Sequence, residues 1–268
     1  PGYEDWDVRH ITLSECIRAK RIPPEWADQR KRQWGAGSAR YKNRVLGEFA
    51  ASEEDAIIPL EWVERAIERW QEWNDVTGGL VPIERLTVDV ARSGMDKIVY
   101  AYRAGYVIAR FEEFQKETTM QTASRASAFL SGNPNSICVM DVIGVCPGRY
   151  DKVMEEYPER IYAFNSSKAT DVKDKSNEFG FTNMRSAAWW KMRELLDPDN
   201  HFDVCLPDND EMTGDLTTPK YIERSGGKIQ VEPKDAIRLR IQRSTNYGDS
   251  VIMSFWEILE QDMGMEWA

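Results

Sequence analysis

The chain has 268 residues, of which 41% are apolar and 30% are charged, and its formal net charge is −10. This length suits one large domain or a domain with an appendage. No apolar run approaches the roughly 18 residues that a membrane-spanning helix needs, and no segment of the secretory-signal type opens the chain. The cysteines form no C-x-x-C pair and only two histidines occur, so we expect no membrane segment and no zinc site of the Cys/His type.

Charge is distributed unevenly along the chain. Residues Ser52–Asp75 contain eight acidic and two basic side chains, whereas Pro219–Arg243 contains seven basic and three acidic ones. A phosphate backbone responds to a local basic face more than to the net charge of the whole protein. The overall acidity therefore does not exclude a nucleic-acid ligand.

Hydrophobic periodicity predicts a mixed α/β sheet flanked by helices, preceded by a helical arm. We assign the arm to residues 1–78 and the α/β domain to residues 79–268. The first predicted elements are an amphipathic helix at Pro59–Trp73 and an antiparallel meander of strands Leu86–Ala91, Ile98–Arg103 and Tyr106–Phe111. They are followed by helix Thr118–Leu130, a buried strand at Ile137–Ile143, helix Tyr150–Tyr157, strand Arg160–Phe164, and helices Asn177–Leu196 and Asp208–Leu216. The last predicted elements are a hairpin at Tyr221–Val231, a helix from Pro233 to about Arg243, a break at Gly248 and a helix at Asp249–Asp262.

Two of these strands carry an acidic residue towards their ends. Asp89 lies on the face opposite to Leu86 and Val88, and Asp141 lies inside the apolar run Ile137–Ile143. An ionised carboxylate in such surroundings costs several kcal/mol unless a metal ion, a basic side chain or backbone N–H groups compensate it. The other interpretation is that each aspartate ends its strand and caps the turn that follows, and both interpretations stay open at this point.

Asp249 is the third candidate acid. It precedes Ile252 by three residues and Trp256 by seven, which places it on the core side of the last predicted helix. It could serve only as the N-cap of that helix. As a third carboxylate beside Asp89 and Asp141, it would complete a site for hard divalent cations, which prefer oxygen ligands.

Other motifs exclude two classes of chemistry. The turn Gly144–Gly148 lacks the G-x-x-x-x-G-K-[ST] pattern, which occurs nowhere in the chain, so no ATP hydrolysis is expected. The nucleophile pattern G-x-S-x-G is also absent, which argues against acyl transfer.

Lys234 and Arg238 begin the helix before the last one, where they could contact a nucleic-acid strand or simply form a solvated face.

Seven segments, taken in order, resemble the C-terminal nuclease domain of the large terminase subunit of tailed double-stranded-DNA bacteriophages. The resemblance covers about residues 40–255. The segments are "YKNRVLGEFAASEEDAIIPLEWVERA", "LTVDVARSGMDK", "VMDVIGVCPGRYDKV", "FNSS", "FTNMRSAAWWKMRELL", "GGKIQVEPKDAIRLRIQRS" and "NYGDSVIM".

This resemblance implies a ribonuclease-H-like fold and a metal-dependent endonuclease that cuts concatemeric viral DNA during genome packaging. The acidic ligands of the family map onto Asp89, Asp141 and Asp249, which would hold two Mg²⁺ or Mn²⁺ ions. Asp96 is a candidate for a supporting acid or a turn residue. Asn246 stands where the family has the aspartate of an S-P-D motif, and it is a candidate for a supporting position beside the ligands.

The resemblance also implies partners and a location. Double-stranded DNA would be contacted through phosphates, so cutting should show little sequence preference. The family's ATPase domain, which precedes the nuclease, is absent from this sequence; the portal and the small terminase subunit are further implied partners, and the host cytoplasm is the implied location. A resolvase or transposase of the same fold and a non-catalytic docking module stay open as alternatives. The candidate DNA contacts are Lys228, Lys234, Arg238, Arg240 and Arg243.

Overall fold

A five-stranded mixed sheet forms the centre of the protein. The computed structural model describes residues 11–34, 41–48, 56–90, 97–143 and 148–256. The strands are β1 (Arg85–Asp89), β2 (Lys97–Ala104), β3 (Val107–Gln115), β4 (Ile137–Asp141) and β5 (Ile161–Phe164). Their order is β3-β2-β1-β4-β5, in which β1 to β3 form an antiparallel meander and β4 and β5 continue in parallel. The predicted meander and the predicted interior position of β4 are confirmed.

Helices surround this sheet, and a second sheet of three short strands lies beside it. The helices are α1 (Leu13–Arg18), α2 (Pro24–Trp34), α3 (Leu60–Thr77), α4 (Thr119–Gly132), α5 (Gly148–Glu156), α6 (Met184–Leu196), α7 (Asp210–Thr217), α8 (Lys234–Ile241) and α9 (Asn246–Ser254). The strands of the second sheet are β6 (Gly180–Phe181), β7 (Tyr221–Arg224) and β8 (Lys228–Val231), in the order β6-β8-β7. Among the helices described, none has both the length and the hydrophobicity that crossing a membrane requires.

The two faces of the central sheet belong to different hydrophobic cores. On one face, Leu86, Val88 and Met140 pack with α4 and α5. On the other face, the core contains Val99, Val139 and residues of α3, α6 and α9. Successive residues of a strand point to opposite faces, so β1 presents Thr87 and Asp89 to the side on which α9 packs.

Helix α3 packs into the second core, although we placed it in a separate arm. Val63 and Ala66 are buried in the same cluster as Trp189 of α6, and the amide of Leu206 donates to the carbonyl of Ala66 over 3.0 Å. These contacts attach α3 closely to the α/β part of the chain. The domain boundary at residue 78 stays a prediction.

Several element boundaries differ from the predictions. Strand β3, predicted at Tyr106–Phe111, runs from Val107 to Gln115. Helix α6 begins at Met184 and not at Asn177, because Gly180 and Phe181 pair with β8 as a strand. Asn183 then caps the helix by accepting a hydrogen bond from the amide of Ser186. Pairing of Gly180 and Phe181 with β8 thus prevents a helix over residues 177–183, although their spacing is helical.

The predicted break at Gly248 is also wrong, because Gly248 lies inside α9. A Cβ atom at this position would stand 2.9 Å from Asp215 Cβ and 3.0 Å from Trp189 Cη2. The glycine therefore serves the close approach of α7 and α6 to α9 and does not end a helix.

Candidate active site

Asp89 and Asp141 end two neighbouring parallel strands. The register of β1 and β4 pairs Val88 with Met140, so the two aspartates that follow lie side by side on one face of the sheet. They are 2% and 7% exposed. The amide of Ile143 donates to Asp141 Oδ1 over 3.0 Å, so Asp141 also caps the turn after its strand, as the second interpretation of the sequence proposed.

Asp249 approaches the same face from α9. Two serines fix this helix on the sheet: Ser254 Oγ donates to Thr87 Oγ1 over 2.9 Å, and Ser250 Oγ donates to the carbonyl of Val99 over 3.1 Å. The N-cap of α9 is Thr245, so the interpretation of Asp249 as an N-cap is wrong. Asp249 lies in the first turn of the helix, buried towards the sheet.

The ammonium group of Lys234 lies between two of the acids. Its Nζ is 2.9 Å from Asp249 Oδ2 and 3.9 Å from Asp89 Oδ1. Within the part of the chain that the structure describes, no three His, Cys, Asp or Glu side chains are close enough to hold one ion together. In this arrangement a lysine, which is the first residue of α8, supplies the positive charge that the carboxylates require.

The two oxygens of Asp249 have different surroundings. Oδ1 accepts a hydrogen bond from Trp189 Nε1 over 3.3 Å and lies 3.6 Å from Arg185 Nε, whereas Oδ2 accepts from Thr245 Oγ1 over 2.7 Å and pairs with Lys234. Burial opposes the charge of this carboxyl, but attraction from Lys234 and Arg185 outweighs it and lowers the pKa of Asp249. Asp249 is therefore ionised at neutral pH.

Asp89 is less well compensated. Burial raises the pKa of its carboxyl well above the usual range, attraction from Lys234 opposes that rise in part, and repulsion from Asp249 and Asp141 adds to it. Its Oδ1 is buried and accepts no hydrogen bond from any described residue. A buried carboxylate oxygen that accepts no hydrogen bond is uncommon. It is also the type of oxygen that Mg²⁺ and Mn²⁺ prefer, so the residues present fit a divalent ion by their chemistry.

Asp215 also shapes the site, and the sequence analysis missed it. It is fully buried in α7, where Oδ2 accepts hydrogen bonds from the amides of Tyr247 (3.0 Å) and Gly248 (3.2 Å) and Oδ1 pairs with Arg243. Burial raises the pKa of Asp215 to about 6. These contacts hold the start of α9 and hence Asp249. In the sequence, the only indication of this role was the helical spacing, which puts Asp215 three residues after Met212, on the apolar face of the predicted helix.

The predicted basic contacts lie in different surroundings. Lys234 lies in the site, as described above. Arg243 pairs with Asp215. Arg240 pairs with Glu232 and donates a hydrogen bond to the carbonyl of Thr218 over 2.8 Å. Lys228 and Arg238 are exposed. Contact of these side chains with DNA stays a prediction.

The two predicted supporting residues are Asn246 and Asp96. Asn246 is buried at the start of α9, and its Nδ2 donates to the carbonyl of Lys97 over 2.9 Å. An amide at this position therefore ties α9 to β2, a contact that an aspartate could not donate. Asp96 and most of the turn Gly144–Gly148, residues 144–147, lie outside the described residues.

Comparison with known proteins identifies the fold. Neither models of known protein families nor curated protein sequences match the chain. Among solved structures, the nuclease domain of the large terminase subunit of bacterial virus Sf6 matches with a TM-score of 0.59 and 20% identity, over 74% of this chain and 97% of that one. A mutant of that domain with calcium gives a TM-score of 0.59 at 19% identity, over 74% and 98% of the two chains.

The same mutant domain solved with manganese and beta-thujaplicinol also gives a TM-score of 0.59, at 19% identity over 74% of this chain and 97% of that one. At such identities the likeness concerns the fold, because one fold hosts many activities. The central mixed sheet flanked by helices is thus the ribonuclease-H-like fold of these terminase nuclease domains, as the resemblance in sequence implied.

Proposed function

We propose that this chain is a metal-dependent endonuclease that cuts double-stranded viral DNA during genome packaging. The observation that carries the proposal is that Asp89, Asp141 and Asp249 lie on the same face of the sheet around Lys234, with Asp89 Oδ1 lacking a hydrogen-bond partner among the described residues. The fold supports it, because the similar Sf6 structures are nuclease domains and two of them contain manganese or calcium.

In this proposal the three carboxylates hold Mg²⁺ or Mn²⁺, with two ions as the expected number. When bound, such ions would supply the Lewis acidity that activates water and stabilises the leaving oxygen of the phosphodiester. Lys234 compensates part of the negative charge of Asp249 and Asp89. Since ion and ammonium group need the same oxygens, we infer that they compete for them.

The remaining implied features also belong to the proposal. Lys228 and Arg238, both exposed, are candidates for DNA phosphate contacts. An ATPase domain, a portal and a small terminase subunit would be the partners of the packaging reaction, and the host cytoplasm its location. None of these partners is needed for a first test, which requires only this chain and DNA.

The test is nicking of supercoiled plasmid in Mn²⁺, in Mg²⁺ and in EDTA. Wild type should cut only with metal, and Asp89→Asn should reduce the rate by more than about 100-fold, because it removes one ligand charge. Asp171→Asn, at an exposed loop position, is the matched control and should cut like wild type. Thermal melting checks that both variants fold.

Three results would contradict the proposal. The first is a wild type that cuts no DNA with either metal. Cutting in EDTA would exclude metal dependence, and full activity of Asp89→Asn would remove Asp89 from the site. A strong preference for branched DNA over plasmid duplex would instead indicate a resolvase-type nuclease of the same fold.

A further inference from the structure

Arg185 forms part of the wall of the candidate site. It is the second residue of α6 and is 8% exposed. Its Nη1 donates to the carbonyl of Glu232 over 2.9 Å, and its guanidinium carbon lies 5.7 Å from the ring centre of Trp189. These contacts hold the guanidinium group in a fixed place, with Nε 3.6 Å from Asp249 Oδ1.

Two nitrogens of this guanidinium group have no hydrogen-bond partner among the described residues. Nε and Nη2 are both buried, and the distance to Asp249 is longer than a hydrogen bond. Asp249 Oδ1 already accepts a hydrogen bond from Trp189. Buried donors normally have hydrogen-bond partners, so these two nitrogens point to an acceptor that the described residues do not supply.

The topology brings Arg185 and Lys234 to the acids from the same direction. Strands β6 and β8 run parallel, so their carboxyl ends meet at one edge of the small sheet. Arg185 follows the end of β6 by four residues, and Lys234 follows the end of β8 by three. The large sheet and α9 supply the carboxylates, and the small sheet supplies two cations beside them.

We propose that Arg185 binds a non-bridging oxygen of a DNA phosphate next to the carboxylates, through Nε and Nη2. A planar guanidinium fork matches phosphate oxygens better than it matches any single acceptor. The side chain of Lys234 is 21% exposed and that of Arg185 is 10% exposed, so the phosphate would reach Arg185 once Lys234 moves aside. This inference rests on the proposed function, because it takes DNA as the ligand.

The test is binding of a fluorescent DNA duplex of about 30 base pairs, measured by anisotropy in Ca²⁺ over a range of salt concentrations. Arg185→Ala should weaken binding about tenfold. It should also reduce the slope of log affinity against log salt by about 0.9, the value for one lost phosphate contact. Arg185→Lys should keep the slope, and Arg110→Ala, at a half-exposed side chain of β3, should change neither quantity.

A second measurement separates this role from a structural one. If Arg185 only orients Asp249, its removal should alter Mn²⁺ affinity in the absence of DNA and leave the salt slope unchanged, which would overturn the inference. Failure of the wild type to bind the duplex would overturn it as well. If Arg185→Ala does not fold, Arg185→Gln removes the charge with less loss of volume and should give the same change in slope. A wild type that binds with the expected slope but cuts no DNA would support this contact and contradict the proposed function.

Discussion

The ammonium group of Lys234 lies 2.9 Å from a carboxylate oxygen of Asp249 and 3.9 Å from one of Asp89, and both acids are buried. Burial disfavours the charge of Lys234, but attraction from Asp249 and Asp89 outweighs it and raises the pKa of the lysine. The pair is therefore charged at neutral pH, and the ammonium group stabilises the carboxylate of Asp249.

Replacing Lys234 by alanine should strengthen metal binding to the free protein. The variant loses a cation that competes for Asp249 and Asp89, so Mn²⁺ affinity measured by calorimetry should rise about tenfold, or about 1.4 kcal/mol. Without metal, the same variant should unfold more easily, because the acids lose their counter-charge. Lys228→Ala, at an exposed position of β8, is the control. Equal Mn²⁺ affinity in wild type and Lys234→Ala would show that the lysine and the ion do not compete.

Gly248→Ala should destabilise the protein. The added methyl group would meet Asp215 Cβ at 2.9 Å and Trp189 Cη2 at 3.0 Å, and overpacking of this kind costs about 1–3 kcal/mol. Gly132→Ala at the end of α4 is a matched control, since its methyl group would have no heavy atom of the described residues within 4 Å. Urea unfolding should show a lower free energy of unfolding for the first variant only. Comparable stability of both variants would mean that α9 shifts without cost.

Asn246→Asp tests the departure from the family motif. The substitution removes the amide that donates to the carbonyl of Lys97 over 2.9 Å and brings two acceptors together. Loss of a buried hydrogen bond of this kind costs about 1–3 kcal/mol, so the free energy of unfolding should fall and cutting should not improve. Higher nicking activity in Asn246→Asp would instead show that an acid at this position belongs to the metal site.

Arg243→Ala separates a structural role from contact with DNA. Arg243 pairs with the fully buried Asp215, and breaking a buried pair costs about 3–5 kcal/mol. Without this cation the folded-state pKa of Asp215, already raised to about 6 by burial, should rise further. A carboxyl with a raised pKa favours the folded state at low pH, and this contribution is lost as the pH rises. The stability deficit of the variant should therefore grow from pH 5 to pH 7.

Urea unfolding at the two pH values checks this expectation. Arg238→Ala, at an exposed position of α8, should leave stability unchanged. If Arg243→Ala weakens DNA binding while stability stays as in the wild type, Arg243 contacts phosphate. Its pairing with Asp215 then contributes little to the free energy of unfolding.

The sequence by itself determined the strands of the central sheet and the face on which Asp89 lies. Alternation along β1 separates Leu86 and Val88 from Thr87 and Asp89, and the structure places these two pairs on opposite faces of the sheet, as the period of a strand requires. The resemblance to terminase nuclease domains likewise gave the fold that structure comparison finds.

Only the tertiary structure decided which charges meet. Lys234 and Asp89 are 145 residues apart in the chain and come within ion-pair distance because β8 ends beside the carboxyl end of β1. Asp215 and Gly248 gained their roles from the close packing of α7 on α9. Local periodicity encodes which face a side chain occupies, whereas the pairing of buried charges depends on which elements pack together, and no short stretch of sequence contains that information.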